Sequence, residues 1–235
     1  MRRSSPSAAL NESFIEPRTI HEITIQLPLG VTLEEIDSSS SSNVAPSSGV
    51  AIIGIHENGN AAIYNSNIFS KLKPTPGNSN SNRNIRNDCI CIRDKIMSIN
   101  GVPCHDKSFD DVIFLLSNCR SSNESSMNHT ITIGLGRLEK STVVNYHNGI
   151  AISAKPGESY GFLAANCGID TIEYKCRSGN CQTCVRLIEF PDKIIDDDNG
   201  TSVESSELKC HVYQRTIKHC VQKVPRGYEW LHVFQ

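Results

Sequence analysis

The sequence predicts an α+β protein built as two successive units, and three observations carry that reading. Short runs of alternating apolar and polar residues recur through the first 138 positions, interrupted by polar loops and by one helix-like stretch. The pair Asn148-Gly149 then signals a two-residue hairpin and opens a new pattern of hairpin, short helix and polar loop. That loop holds three of the ten cysteines, Cys176, Cys181 and Cys184.

A chain of 235 residues can bury two small cores. Its net charge of -2 at pH 7 supplies no global basic field, so neither nucleic acid nor an anionic membrane is an expected partner. No apolar run approaches the ~18 residues of a membrane-spanning helix. The first ten residues lack the apolar core of a secretory signal, so clustered cysteines read as a metal or cluster site rather than as disulfides. Residues 1–17 are rich in Arg and Ser and carry no acid before Glu12. That composition suits a disordered N-terminus and also the tail of an organelle transit peptide.

In the first unit, residues 18–138, His21 to Leu27, Val50 to Ile55 and His129 to Leu135 read as strands. Cys89 to Gly101 holds two short runs ending in the turn signal Asn100-Gly101. Ser108 to Leu116 reads as a helix with Ser108 as N-cap, acids in its first turn, and Phe109, Val112, Ile113 and Leu116 on one face. Ser38 to Ser48 and Pro74 to Asn87 are polar insertions, and Ser121 to Asn128 is a third weak segment.

This order resembles a PDZ domain, a β-sandwich or barrel with helices. Pro28-Leu29-Gly30-Val31-Thr32-Leu33 is similar to that family's carboxylate-binding loop, Gly59-Asn60-Ala61-Ala62 to the start of its short helix, and Asp94 to Val102 to its strand-and-turn signature. Phe109 to Leu116 stands where the groove helix would be. One departure is Arg93, where the family usually has Gly. The resemblance implies that a partner's C-terminal peptide adds a strand to the second strand's edge. Leu29, Gly30 and Val31 would hold its carboxylate, and Phe109 would favour an apolar peptide side chain. The structural alternative makes Leu29, Val31 and Phe109 plain core residues.

In the second unit, residues 142–235, a turn at Pro156-Gly157 precedes a helix over Tyr160 to Cys167, with Phe162, Leu163 and Ala165 available for packing. Hairpin, helix and cysteine loop form the front half of a β-grasp fold. The loop spacing is C-x4-C-x2-C, with Arg177, Ser178 and Gly179 inside it. It resembles the plant-type ferredoxin signature for a [2Fe–2S] cluster. The resemblance requires a fourth cysteine downstream, ahead of a proline and the last strand. Cys220, followed by Pro225 and the run Tyr228 to Phe234, fits best, and Cys210 is the alternative. The implied insertion falls at Asp192 to Glu207. Cys89, Cys91, Cys104, Cys119 and Cys167 read as buried core cysteines.

No histidine spacing suits a metal, and no catalytic triad, phosphate loop or dinucleotide fingerprint is present, so an electron-transfer protein rather than an enzyme is expected. The resemblance implies transient redox partner proteins and a plastid location. It also implies a strongly acidic surface, yet residues 141–235 carry ten Lys or Arg against eleven Asp or Glu. Two other readings stand beside the carrier: a scaffold or assembly factor with a structural or redox-sensing cluster, and a zinc-stabilised peptide-binding module.

Overall fold

The computed structural model describes residues 18–36, 49–71, 85–121, 129–169, 175–191 and 212–234. The N-terminal segment, the serine insertion, most of the second insertion, the Asp192–Glu207 segment and Cys210 lie outside the described residues.

The first sheet is built from β1 (Arg18–Gln26), β2 (Val31–Ile36), β3 (Gly49–Ile55), β4 (Lys95–Ile99), β5 (Val102–Pro103) and β6 (Thr130–Leu138). The strands pair as one open path, β1-β6-β4-β3-β2, with β5 hairpinned onto β4. The alternation in β1 is what fixes its register. Ile23 and Ile25 are buried, stand opposite Ile133 and Ile131 of β6, and leave Glu22, Thr24 and Gln26 in solvent. Asn100 and Gly101 both have positive φ, the backbone a two-residue β4–β5 turn requires.

Three helices flank this sheet: α1 (Asn60–Ser70), the single turn α2 (Ile85–Asp88) and α3 (Phe109–Ser121). Ser108 caps α3 as expected, its hydroxyl oxygen accepting from the Asp111 N–H at 3.2 Å. Only Val112 of its apolar face is fully buried.

The second sheet has the order β10-β9-β11-β7-β8, from β7 (Thr142–Tyr146), β8 (Ala151–Ala154), β9 (Val185–Pro191), β10 (Val212–Lys218) and β11 (Trp230–Val233). β11 runs parallel to β7 and antiparallel to β9. The β7–β8 connection is longer than the two-residue loop the sequence suggests. The Gly149 N–H donates to the Tyr146 carbonyl at 2.9 Å and Gly149 alone has positive φ, a three-residue loop with a bulge. Helix α4 (Tyr160–Asn166) is capped by Ser159, and it buries Leu163 and Ala164 rather than Phe162 and Ala165, which are exposed.

One continuous apolar cluster runs from Ile23 and Ile25 through Ile92 and Ile152 to Leu231, so the two sheets share a core. The run Cys89 to Ile92 is not a strand of the first sheet. Its backbone crosses to the second: the Ile92 N–H donates to Ala151 at 2.8 Å and the Ser153 N–H donates to Ile92 at 3.1 Å. Asn65 of α1 adds a fully used buried amide, donating to the carbonyls of Ile90 at 2.8 Å and Gly149 at 2.9 Å and accepting from the Ile90 N–H at 2.9 Å. Phe69 meets Trp230 edge-on, with ring centroids 5.9 Å apart.

One fully buried ion pair and one partly buried pair hold this junction. Arg137 of β6 donates to both Asp94 carboxylate oxygens, at 2.9 and 2.5 Å, and to the carbonyls of Arg86 and Cys89. Asp94 also accepts the Cys91 N–H at 2.8 Å. Arg93 has a φ of 78°, a left-handed backbone that glycine adopts without strain and arginine does not. Its guanidinium crosses to Glu158 at 2.8 Å, so an unfavourable backbone is held by a charge pair with the second sheet.

His21 lies against the same network. Burial, then the charge of Arg137, push its pKa down to about 4. The unfolded side chain titrates near 6.5, so between these values the unfolded chain binds more protons. Stability is therefore complete above pH ~6.5 and falls by about 2 kcal/mol by pH 5 from this residue. Urea denaturation at pH 7 and pH 5 measures the loss, which His21→Leu should largely remove. An unchanged pH slope in that variant would contradict the assignment. Among the described residues, no helix is long and apolar enough to cross a membrane.

Candidate functional sites: an edge-strand groove and a cysteine loop

The first site follows from the position of β2. It ends the sheet, pairs only with β3 among the described strands, and so leaves a free edge. Helix α3 lies alongside. Between them runs a groove of about 450 Å³ lined by Leu27, Leu29, Gly30, Val31 and Leu33 on one side and Phe109, Ile113 and Leu116 on the other. All four residues expected to bind peptide line it. Ile113 and Leu116 follow Phe109 at helical spacing, so the periodicity that places Phe109 also selects them.

The loop at the groove's end is held from behind. The Leu29 carbonyl accepts from Ala61 N–H at 2.8 Å and the Gly30 carbonyl from His56 N–H at 2.9 Å. The Asn60 amide bonds the carbonyls of Gln26 and Pro28. With these carbonyls engaged, the N–H groups of Leu29 and Gly30 make no backbone hydrogen bond among the described residues. They are free donors at the mouth of an apolar groove, the arrangement that accepts a carboxylate. Gly30 has a φ of 70°, and a side chain there would run into the Gly59 backbone. A substitution at Gly30 would therefore disturb the loop itself. Ile113→Glu is the cleaner test, because Ile113 is 37% exposed. It should weaken binding of a library-selected C-terminal peptide about tenfold or more, with the circular dichroism unchanged. Fluorescence anisotropy reads the affinity, and equal binding by both proteins would remove the groove from the account.

The second site forms where β9 begins and β10 ends. Val185 pairs with Lys218, so the residues just beyond both strands are forced together. The His219 N–H donates to the Cys184 carbonyl at 3.0 Å, and the Cys184 and Cys220 thiols stand 3.0 Å apart. A short turn at 218–222, with Val221 and Gln222 N–H groups on the Lys218 carbonyl, presents Cys220.

The preceding loop, residues 175–184, supplies the other two thiols. The Cys181 N–H donates to the Cys176 sulfur at 3.3 Å, and the Thr183 hydroxyl is 3.0 Å from the Cys181 sulfur. Arg177, Gly179 and Gln182 all have positive φ. Left-handed residues spaced this way turn successive N–H groups inward. Gly179 is needed doubly, because its φ is 82° and a Cβ there would crowd Val221 at 3.1 Å; its N–H also reaches the Cys220 sulfur. Hydrogen bonds from Ser178 and then Cys181 hold the Cys176 thiol down, to about 5, so it is a thiolate at neutral pH. Burial and the neighbouring Cys184 thiol push Cys220 up.

Thus the Cys184 and Cys220 sulfurs meet at one end of the second sheet, and in the adjoining loop the Cys181 backbone meets the Cys176 sulfur. Cys89, Cys91, Cys104 and Cys167 are buried elsewhere. His219 turns into the core, between the rings of Tyr146 and Tyr160. Ser178 enters the sequence reading only as the small residue of the loop, and Thr183, which bonds the Cys181 sulfur, does not enter it at all, because no residue pattern distinguishes a loop hydroxyl facing sulfur from one facing water. Among the described residues, no group of three or more His, Cys, Asp or Glu side chains is gathered to hold one metal ion.

No family model matches the chain, and no curated protein matches it. Among solved structures, the chain is similar to the N-terminal PDZ domain of InaD in complex with a NorpA C-terminal peptide. The two are 18% identical, with a TM-score of 0.31, over 51% of this chain and 97% of that one.

Proposed function

We propose that this chain is a one-electron carrier: the cysteine end of the second sheet holds a [2Fe–2S] cluster, and the groove of the first sheet takes the C-terminal peptide of a partner. The pairing of the thiols carries this reading. Each iron of such a cluster shares two bridging sulfides and needs two further thiolates, so the required donor set is two pairs. Cys176 and Cys181 would hold one iron, and Cys184 and Cys220 the other. When bound, the cluster supplies a centre that gains or loses a single electron.

The chain's own groups suit that load. Thiolate ligands carry negative charge, and the N–H groups of Gly179 and Cys181 with the Ser178 hydroxyl aim partial positive charge at them. A β-grasp sheet has the β7–β8 hairpin, a following helix and a last strand parallel to the first, and the order β10-β9-β11-β7-β8 fits it. A structural zinc would instead need its donors around one point. The contact of the Cys184 and Cys220 sulfurs, with Cys176 and Cys181 side by side in the loop, is what supports the two-iron reading.

The groove would choose the partner, and holding it there raises its effective concentration at the cysteine end. Anaerobic dithionite titration with electron paramagnetic resonance tests the function. Uptake of about one electron per chain, with bleaching of absorption at roughly 400–460 nm, is expected. A colourless protein that binds zinc and takes up no electron would overturn it.

A further inference from the structure

Described residues 175–191 and 212–234, which form the cysteine end and its supporting strands, carry seven Lys or Arg and two Glu. The intervening residues 192–211 carry six Asp or Glu against two Lys or Arg, so the excess belongs to the described strands and cysteine loop and not to the unit as a whole. Lys175 and Arg177 lie in the cysteine loop and are exposed. Lys218 sits with its aliphatic stem against Gly179, and Lys223 bridges by its backbone to Ser159 at the start of α4. Among the described residues, none of these four cations forms a salt bridge; the only such pairs are Arg93–Glu158 and Arg137–Asp94. Charges of one sign gathered on one face produce a directed field.

The same face has an apolar centre. Val221 is 43% exposed and rests directly on Gly179, beside Cys220. An apolar centre ringed by charge is the composition of a transient protein interface, whereas a nucleic-acid surface would interleave its cations with stacking rings.

We propose that the face made by Lys175, Arg177, Lys218 and Lys223 around Val221 docks an acidic surface of a partner protein. The partner's identity as a redox protein rests on the electron-carrier reading; the docking charge does not. Complementary charge would set the encounter rate and orient the cysteine end toward the partner. The sign is opposite to that implied by the ferredoxin resemblance, whose members present acid.

The test uses the full chain and poly-L-glutamate as the acidic probe. Binding is measured by isothermal titration at low and high salt, and the contact is located by protection of lysines from acetylation, read by mass spectrometry. Binding should weaken about tenfold or more between 20 and 200 mM salt. Lys175, Lys218 and Lys223 should be protected. The fourfold change Lys175→Ala, Arg177→Ala, Lys218→Ala and Lys223→Ala should weaken binding about tenfold or more. Replacing the three lysines by Arg should preserve it, as should Lys71→Ala on the first sheet's helix. Absence of binding at 20 mM salt, protection mapped elsewhere, or tighter binding of a DNA duplex than of poly-L-glutamate would overturn the proposal. Iron content is assayed on the same samples. A basic face on an iron-free protein would defeat the carrier reading and leave the docking charge standing.

Discussion

Replacing any one of Cys176, Cys181, Cys184 or Cys220 by Ser should abolish the stable visible chromophore of the reconstituted protein, while Cys210→Ser should leave it intact. The expectation follows from the donor count. With two thiolates required at each iron, loss of one leaves a coordination position to water or a poorer hydroxyl donor. Absorption spectra and iron content of the five variants, prepared in parallel, read the outcome. Circular dichroism separates cluster loss from unfolding, because the register of β9 with β10 does not depend on the thiols. A Cys210→Ser protein that loses the chromophore while Cys220→Ser keeps it would move the fourth ligand and undo the pairing argued from the β9–β10 turn.

Asp94→Ala should destabilise the fold by about 3–5 kcal/mol, the range for a buried ion pair that loses one partner. Arg137 is 1% exposed and would keep its charge with only carbonyl oxygens to face. The same carboxylate holds the Cys91 N–H, so the loop that crosses to the second sheet would also lose an anchor. For a chain of this size the shift in melting temperature is roughly 10 °C. Asp94→Leu combined with Arg137→Met should recover much of the loss, since removing both charges leaves none buried alone. A melting temperature within a degree of the parent in Asp94→Ala would show that the junction does not depend on this pair.

The strands were legible because their signal is local. Ile23 and Ile25 alternate with polar neighbours, and that period places one face on β6 and the core. Asn100-Gly101 marks its turn for the same reason: both residues tolerate the positive φ that the turn imposes. The loop spacing pointed to three thiols, and the downstream Pro225 with the closing strand pointed to Cys220, whose sulfur stands 3.0 Å from that of Cys184. The union of the two units was not legible. Arg93 stood out only as a departure from glycine, and nothing in its neighbours discloses that it meets Glu158, 65 positions later. Cys89 and Cys91 alternate with isoleucines as a strand would. Yet their side chains pack with Val143, Ala151 and Trp230 of the second sheet. Such contacts depend on tertiary placement, which no sequence period encodes.

The groove shows an intermediate case. Phe109, Ile113 and Leu116 announce an apolar helix face, and ordinarily such a face is buried. Here it stays partly open because β2 ends the sheet and no described strand covers its edge. Sequence supplied the residues of the groove; sheet order supplied the opening.

Iron and acid-labile sulfide analysis of the purified, anaerobically reconstituted chain tests the central claim most directly. Roughly two iron atoms and two sulfides per chain, dropping below half that in Cys220→Ser, is the predicted result. Stoichiometric zinc, or iron bound without sulfide, would contradict it.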